Sequence, residues 1–457
     1  LIDSYSNFAT FRYDRFTLRV HKKEADLLKP YLEEQMRKIL ATYDRKYGFT
    51  LKEHVQVEVY PNHDDFAVRT VGLPGLGALG VTFGHIVAMD SPSGRKAGSF
   101  HWASTLWHEM SHVYSITYTK HRIPRWYTEG LAVYEETATS PDWGDRVDPP
   151  ILKAIRDKKL LPVNQLERGF VRPEYPNQVL VSYFQAGRIC NFIEKKWGQA
   201  KLIALMKEFV NPGVTADAAL RRTLGMTAEE FDKQFFAWID QQFQPLVTGF
   251  EAWEKKVNDL HAAFKKKDYD RVISEGPALR DFYPDFVELG SVYELLADAY
   301  AAKNDRKNQA AELLRYAKAG GRTPDRLIDL AKLQAELGQK REAAESFERI
   351  NLIYPVQAAD LHDRLGQLFL ELGNLPGAIR ELRAVIYSKP LDQATARYNL
   401  ARALTAANRV EEAQEEVVNA LEVAPGYKPA QKLLLELSAK QSGSPATPPV
   451  PRKKEGQ

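Results

Sequence analysis

The sequence predicts two folded parts and a tail: an α+β domain over residues 1–248, an all-α array of repeated helix pairs over 249–440, and a disordered segment at 441–457. Three observations carry this. Short alternating apolar runs stand beside a long helical one within residues 1–100. A His-Glu-x-x-His motif at 108–112 sits in an unbroken helical pattern. Further on, Pro355, Pro390 and Pro425 recur at steps of 35 residues. At 457 residues the chain is too long for one core, so more than one domain is the default.

Residues 1–100 read as a mixed lobe. The run 16–20 looks like a strand. Over 24–47, Leu27, Leu28, Tyr31, Leu32, Met36, Ile39 and Leu40 keep helical spacing and stop before Gly48, a suitable C-cap. Val55, Val57 and Val59 alternate within 54–60, the pattern of a half-buried strand. Residues 71–89 lack Asp, Glu, Lys and Arg and are long enough to suggest a membrane span. Gly72, Gly75, Gly77, Gly80 and Gly84, with Pro74 and His85, break that stretch into a loop and a strand at 81–87. No transmembrane segment is predicted.

Residues 103–118 predict a helix without Pro or Gly. Leu106, Met110, Val113 and Thr117 form one stripe, and His108, His112 and Ser115 lie on the other side. Residues four apart on a helix share a face and stand about 6 Å apart along its axis. His108 and His112 can therefore grip one Zn²⁺, and Glu109 can reach the metal-bound water as general base. Glu129, seventeen residues beyond His112, is the expected third ligand of a two-His-one-Glu catalytic site. One zinc ion per chain follows. His101 and His121 read as surface and loop residues, because three protein ligands and a water already complete such a site.

Residues 150–246 read as helices near 150–157, 181–197, 199–210, 214–222 and 227–243. From about residue 250 an internal repeat appears. Leu330, Leu365 and Leu400 share one register; Ala343, Ala378 and Ala413 share another; Phe347, Leu382 and Val417 a third. Gly338, Gly373 and Asn408 fall at turns between paired helices. Ala331, Gly366 and Ala401 fall where two helices approach closely. A fourth repeat is predicted at 290–319, a degenerate one near 260–274, and a capping helix at 428–437. The Pro/Ser/Gly-rich tail cannot bury enough apolar surface to fold.

Residues 105–113 and 123–134, which hold the His-Glu-x-x-His motif and the Trp126-Tyr127-Thr128-Glu129-Gly130 run, resemble the gluzincin metallopeptidases. More narrowly they resemble the bacterial peptidase-MA-like family, whose members often carry tetratricopeptide repeats. The resemblance implies His108, His112 and Glu129 as zinc ligands and Glu109 as the base. Thermolysin-type members often have an acidic residue four positions after the ligand Glu; Val133 stands there, so the likeness is closer to the aminopeptidase side. The Ser182-Tyr183-Phe184 run resembles the next helix of that group, which implies Tyr183 as donor to the oxyanion. An edge strand at 81–87 would bind substrate by backbone hydrogen bonds. The 35-residue period is similar to that of tetratricopeptide repeats. The implied architecture is an α+β zincin-like (gluzincin) catalytic domain, comprising a mixed lobe at 1–100, zinc-site helices at 101–140 and a helical lobe at 141–248. An all-α tetratricopeptide-repeat solenoid follows.

Composition narrows the remaining possibilities. The formal net charge is +3, which gives no ground for a nucleic-acid partner. Cys190 is the one cysteine, so no intrachain disulfide forms, and it reads as a small buried hydrophobe. Leu1 in place of Met suggests a processed or excised chain. With the family likeness, this favours an exported, periplasmic protein, with the cytosol also compatible. The expected function is hydrolysis of peptide bonds in a peptide or protein substrate, with a protein partner on the concave face of the repeats. The rival reading is a non-catalytic zinc-containing domain serving a protein-interaction scaffold.

Overall fold

The computed structural model describes residues 6–72, 77–144 and 146–442. Five strands form one sheet: β1 (Phe8–Arg12), β2 (Phe16–His21), β3 (Val55–Tyr60), β4 (Gly80–Phe83) and β5 (Ile86–Asp90). Their order is β1-β2-β3-β5-β4. The central strands β2, β3 and β5 are parallel, while β1 and β4 pair antiparallel at the two edges. Parallel neighbours need crossovers, and α1 (Ala25–Tyr47) and α2 (His63–Val71) supply them.

The alternation seen in sequence explains which sheet face is the core. Val55, Val57, Val59, Leu18, Val20 and Val87 are buried together with Leu28, Leu32, Met36 and Ile39 of α1. Gly48 ends α1 with φ 72°, and its N–H bonds to the Asp44 carbonyl. The segment 81–87 is a hairpin rather than one strand. Phe83 pairs with Ile86, leaving Gly84 (φ 60°) and His85 as the turn. Of this segment, β4 alone is the edge strand, and β5 lies inside the sheet.

Helix α3 (Trp102–Tyr118) follows the sheet and buries Leu106, Met110 and Val113 completely. Helix α4 (Arg125–Thr139) comes next, then α5 (Pro149–Arg156), α6 (Leu166–Val171) and α7 (Gln178–Trp197). Gly130 lets α4 and α7 cross closely: a β-carbon there would stand 2.6 Å from the Ala186 carbonyl oxygen. Cys190 on α7 is buried. Then come α8 (Gln199–Glu208), α9 (Ala216–Leu224) and α10 (Ala228–Lys265). Thr227 and Glu230 close a capping box on α10, which runs for 38 residues. Position 248/249, the expected domain boundary, lies inside this helix.

The chain divides into two compact units, Leu1–Val356 and Gln357–Gln457. The first includes α11 (Tyr269–Phe282), α12 (Val292–Ala302), α13 (Arg306–Lys318), α14 (Pro324–Glu336) and α15 (Lys340–Ile353). These are tied to the sheet-bearing part by specific bonds. Trp102 Nε1 donates to the Asn351 carbonyl at 2.8 Å, and the Tyr283 hydroxyl to the Val147 carbonyl at 2.7 Å. The second unit holds α16 (Ala359–Glu371), α17 (Leu375–Tyr387), α18 (Gln393–Ala406), α19 (Val410–Val423) and α20 (Lys428–Ser442). Within each unit the expected repeat positions behave alike. Asn304, Gly338, Gly373 and Asn408 all have positive φ at the turn inside a helix pair. Leu330, Leu365 and Leu400 are buried, and a β-carbon on Gly366 would stand 2.8 Å from Leu382 Cγ. Of the expected tail, residues 443–457 lie outside the described residues. No helix among the described residues is long and apolar enough to cross a membrane.

Candidate metal centre

Helix periodicity puts His108 and His112 on one face of α3, and their rings lie 4.9 Å apart. Glu129, one turn into α4, meets them. Its Oε2 is 3.4 Å from His108 Nε2 and 3.2 Å from His112 Nε2. One ligand atom from each of the three residues lies within 4.8 Å of the others. Ligands bound tetrahedrally to zinc at about 2.1 Å stand about 3.4 Å from one another, so these spacings suit such an ion. Glu129 Oε2 is also buried and accepts no hydrogen bond from a described residue. A buried carboxylate oxygen left without a donor is costly, and a cation between the three side chains would satisfy it.

The second ring nitrogens are held from behind. His108 Nδ1 lies 2.7 Å from Glu136 Oε1, and His112 Nδ1 lies 2.8 Å from Thr128 Oγ1. Such partners set the tautomer and leave Nε2 facing the ligand position. Burial pulls the His108 pKa down, but the carboxylates of Glu129 and Glu136 outweigh it and hold it well above the ordinary histidine range. Burial pushes Glu129 up, yet His112 and His108 hold it well below the usual carboxylate range. Arg125 Nε adds a donor to Glu129 Oε1 at 3.2 Å.

Glu109 points from α3 towards the sheet edge. Thr82 of β4 donates to Glu109 Oε2 at 2.6 Å and to the Glu109 carbonyl at 3.1 Å. Gly80 gives the carboxylate its space: a β-carbon there would lie 2.7 Å from Glu109 Cγ and 2.8 Å from Oε1. Oε1 accepts no hydrogen bond from a described residue. Burial raises the Glu109 pKa against the opposing pull of His112, His108 and Thr82. The backbone of β4 is placed for pairing beside this carboxylate. The Asp90 N–H bonds to the Leu79 carbonyl, so the alternation of an antiparallel ladder turns the Gly80 and Thr82 backbone groups outward along the edge.

Tyr183 on α7 has its ring 6.4 Å from that of His108 and 5.1 Å from that of Phe170. Burial and Glu129 raise its pKa, while Arg125 beside the hydroxyl opposes the rise. The phenol therefore keeps its proton and can act as a donor. His101 is not a surface residue: it is half-buried, caps α3 through Nδ1 (3.0 Å from the Ser104 N–H) and packs its ring at a tilt against Trp143. His121 is exposed in the turn between α3 and α4.

Sequence reasoning missed Glu136, Thr128, Thr82 and Gly80. Glu136 carried a faint signal, since it lies seven residues after Glu129 on the same helix face. Val133 is buried and apolar, and Glu136 supplies the carboxylate behind His108. Thr82 and Gly80 carried none, because only strand packing brings them to Glu109.

Residues 37–241 match the family described as the Peptidase MA superfamily. Among solved structures, the chain is similar to YrrB, described as a TPR protein with an unusual peptide-binding site. That match has 18% identity and a TM-score of 0.29, and covers 40% of this chain and 90% of that one. MamA protein is similar at 19% identity and a TM-score of 0.29, covering 33% and 81% of the two chains. A MamA fragment from Desulfovibrio magneticus is similar at 20% identity and a TM-score of 0.28, covering 33% and 84%. No curated protein matches the chain.

Proposed function

We propose that the chain is a zinc-dependent metallopeptidase whose helix pairs engage a protein substrate or partner. One observation carries this reading: His108, His112 and Glu129 converge on a point where Glu129 Oε2 is buried without a donor, one helix turn from Glu109. The Peptidase MA match over 37–241 supports it. His108 Nε2, His112 Nε2 and Glu129 Oε2 would hold the ion. Zinc, when bound, supplies Lewis acidity that activates a water and polarises a carbonyl.

The chain's own groups account for the rest. Thr82 occupies Glu109 Oε2, which leaves Oε1 to take a proton from the attacking water. The water oxygen bonds to the carbonyl carbon, the C–N bond breaks, and Glu109 returns the proton to the leaving amine. A base raised by burial suits both transfers, because it binds the proton more tightly than an exposed carboxylate and still releases it to an amine. Tyr183 donates to the oxyanion. The Gly80 and Thr82 backbone groups would hold an extended peptide as an added strand.

The test is zinc content together with cleavage of a denatured-protein mixture by wild type and Glu109→Gln. Zinc near one per chain, with cleavage lost in the variant, supports the reading. Zinc with no difference between the two proteins sinks the enzyme and leaves a zinc-containing domain of an interaction scaffold. No metal after reconstitution sinks the site.

A further inference from the structure

A second cluster of polar groups lies where the loop before α3 meets the segment between α13 and α14. Two glycines bring these stretches together. A β-carbon on Gly98 (φ 77°) would stand 2.6 Å from the Arg322 carbonyl oxygen. One on Gly320 (φ 91°) would collide with Arg146 Nη1 and stand 3.2 Å from its Cζ. The Arg146 guanidinium thus rests directly on the bare α-carbon of Gly320. Arg322 is half-buried two residues further on, and Arg349 approaches from α15.

Arg349 is engaged, with Nη1 on Asp142 Oδ2 at 2.9 Å and on the Ala317 carbonyl at 2.8 Å. Arg146 and Arg322 have no hydrogen bond or ion pair with any described residue. Of the carboxylates that act on them, Glu288 is exposed, Asp148 near Arg146 accepts from the Ile151 N–H, and both oxygens of Glu136 are taken, by Ser104 and His108. His101 adds another donor. Its Nδ1 accepts from the Ser104 N–H, so in the neutral ring the proton sits on Nε2, which is buried and has no partner. Arg322, Arg349 and Arg146 all act on that ring, and with burial as the larger cause they depress its pKa to about 3. Two guanidinium forks and an imidazole N–H, none of them bonded to an acceptor among the described residues, are arranged to receive an anion. Arginine forks match planar or tetrahedral oxyanions in a bidentate way.

We propose that Arg146, Arg322 and His101, with Arg349 behind them, form a binding site for an oxyanion, either a phosphate or a peptide carboxylate. The site is separate from the metal ligands. It is linked to them by the bonds that run from His101 to Ser104, Glu136 and His108, and by the charge of Glu136 acting on Arg322. It does not depend on the peptidase reading, and its test uses no catalysis.

The test is calorimetric titration of the zinc-loaded full chain with inorganic phosphate, at an ionic strength held constant with chloride. Parallel titrations use N-acetyl-dialanine and its C-terminal amide. Saturable binding is expected, weakened about tenfold or more by Arg322→Gln and by Arg146→Gln, since each removes hydrogen bonds to a charged group. Phosphate binding assigns a phosphoryl ligand; binding of the acetylated peptide but not its amide assigns a chain-terminal carboxylate. If Arg322→Gln does not melt cooperatively, Arg322→Lys replaces it. Lysine keeps the charge and loses the fork, so weaker but measurable binding is expected. Absence of saturable binding by all three probes overturns the proposal. So does phosphate binding that is indifferent to both arginine substitutions, as phosphate held at the metal centre would be.

Discussion

The Thr82 hydroxyl donates to Glu109 Oε2 at 2.6 Å and ties the edge strand of the sheet to the carboxylate that follows His108 in the motif. This bond joins the surface that would hold a substrate to the group that would move its proton. It also lowers the pKa of a carboxylate that burial raises.

Thr82→Val keeps the shape and removes the donor. The Glu109 pKa then rises further, and the ionised base is lost at a higher pH as the solution is acidified. A hydrogen bond to a charged group is worth about 1.5–3 kcal/mol, so the acidic limb of the kcat/KM profile should move up by about one pH unit or more. An unmoved limb would show that Glu109 does not set it.

Glu136→Gln removes the carboxylate behind His108 Nδ1. Losses of such supporting partners typically lower metal affinity about 10- to 100-fold. Competition with a chromophoric zinc chelator measures this directly. An unchanged affinity would mean that Glu136 does not support the metal ligand.

Lys46 Nζ donates to Glu135 Oε2; the Glu135 side chain is fully buried, and its Oε1 accepts from no described residue. Lys46→Met leaves that charge uncompensated, and breaking a buried pair from one side costs about 3–5 kcal/mol. Burial already raises the Glu135 pKa. The loss should therefore shrink as the pH is lowered and the carboxyl takes up a proton. Glu135→Gln in the Lys46→Met background should recover part of the stability at pH 7 in urea unfolding.

Asp232 accepts from the Val163 N–H at 3.0 Å, and burial raises its pKa from 3.8 to about 6. The folded state then holds the proton more tightly than the unfolded chain. Stability from this group is present below the unfolded value and is lost as the pH rises through about 6. Asp232→Asn keeps an acceptor and does not titrate. Wild type should lose stability relative to the variant between pH 3.8 and about 6, read from urea midpoints. A constant difference across that range would contradict the buried-carboxyl account.

Local periodicity made much of this chain legible. Helix spacing set His108, Glu109 and His112 on their faces of α3, because neighbours three and four apart are fixed by the backbone alone. The alternation of Val55, Val57 and Val59 marked β3, and Gly48 marked the end of α1, for the same reason. The recurrence of Gly338, Gly373 and Asn408 marked turns that need positive φ. Tertiary structure alone decided the rest. The 81–87 segment folds back at Gly84, so Thr82 and Gly80 meet Glu109 while Phe83 stays outside. Glu136 reaches His108 only because α4 packs beside α3. Arg146, Arg322 and His101 are 45 to 221 residues apart in sequence and gather only through the close contacts at Gly98 and Gly320. The physical reason is one of range. A helix or strand pattern repeats within a few residues, whereas the partner of a buried charge depends on which distant backbone can approach closely enough to offer it.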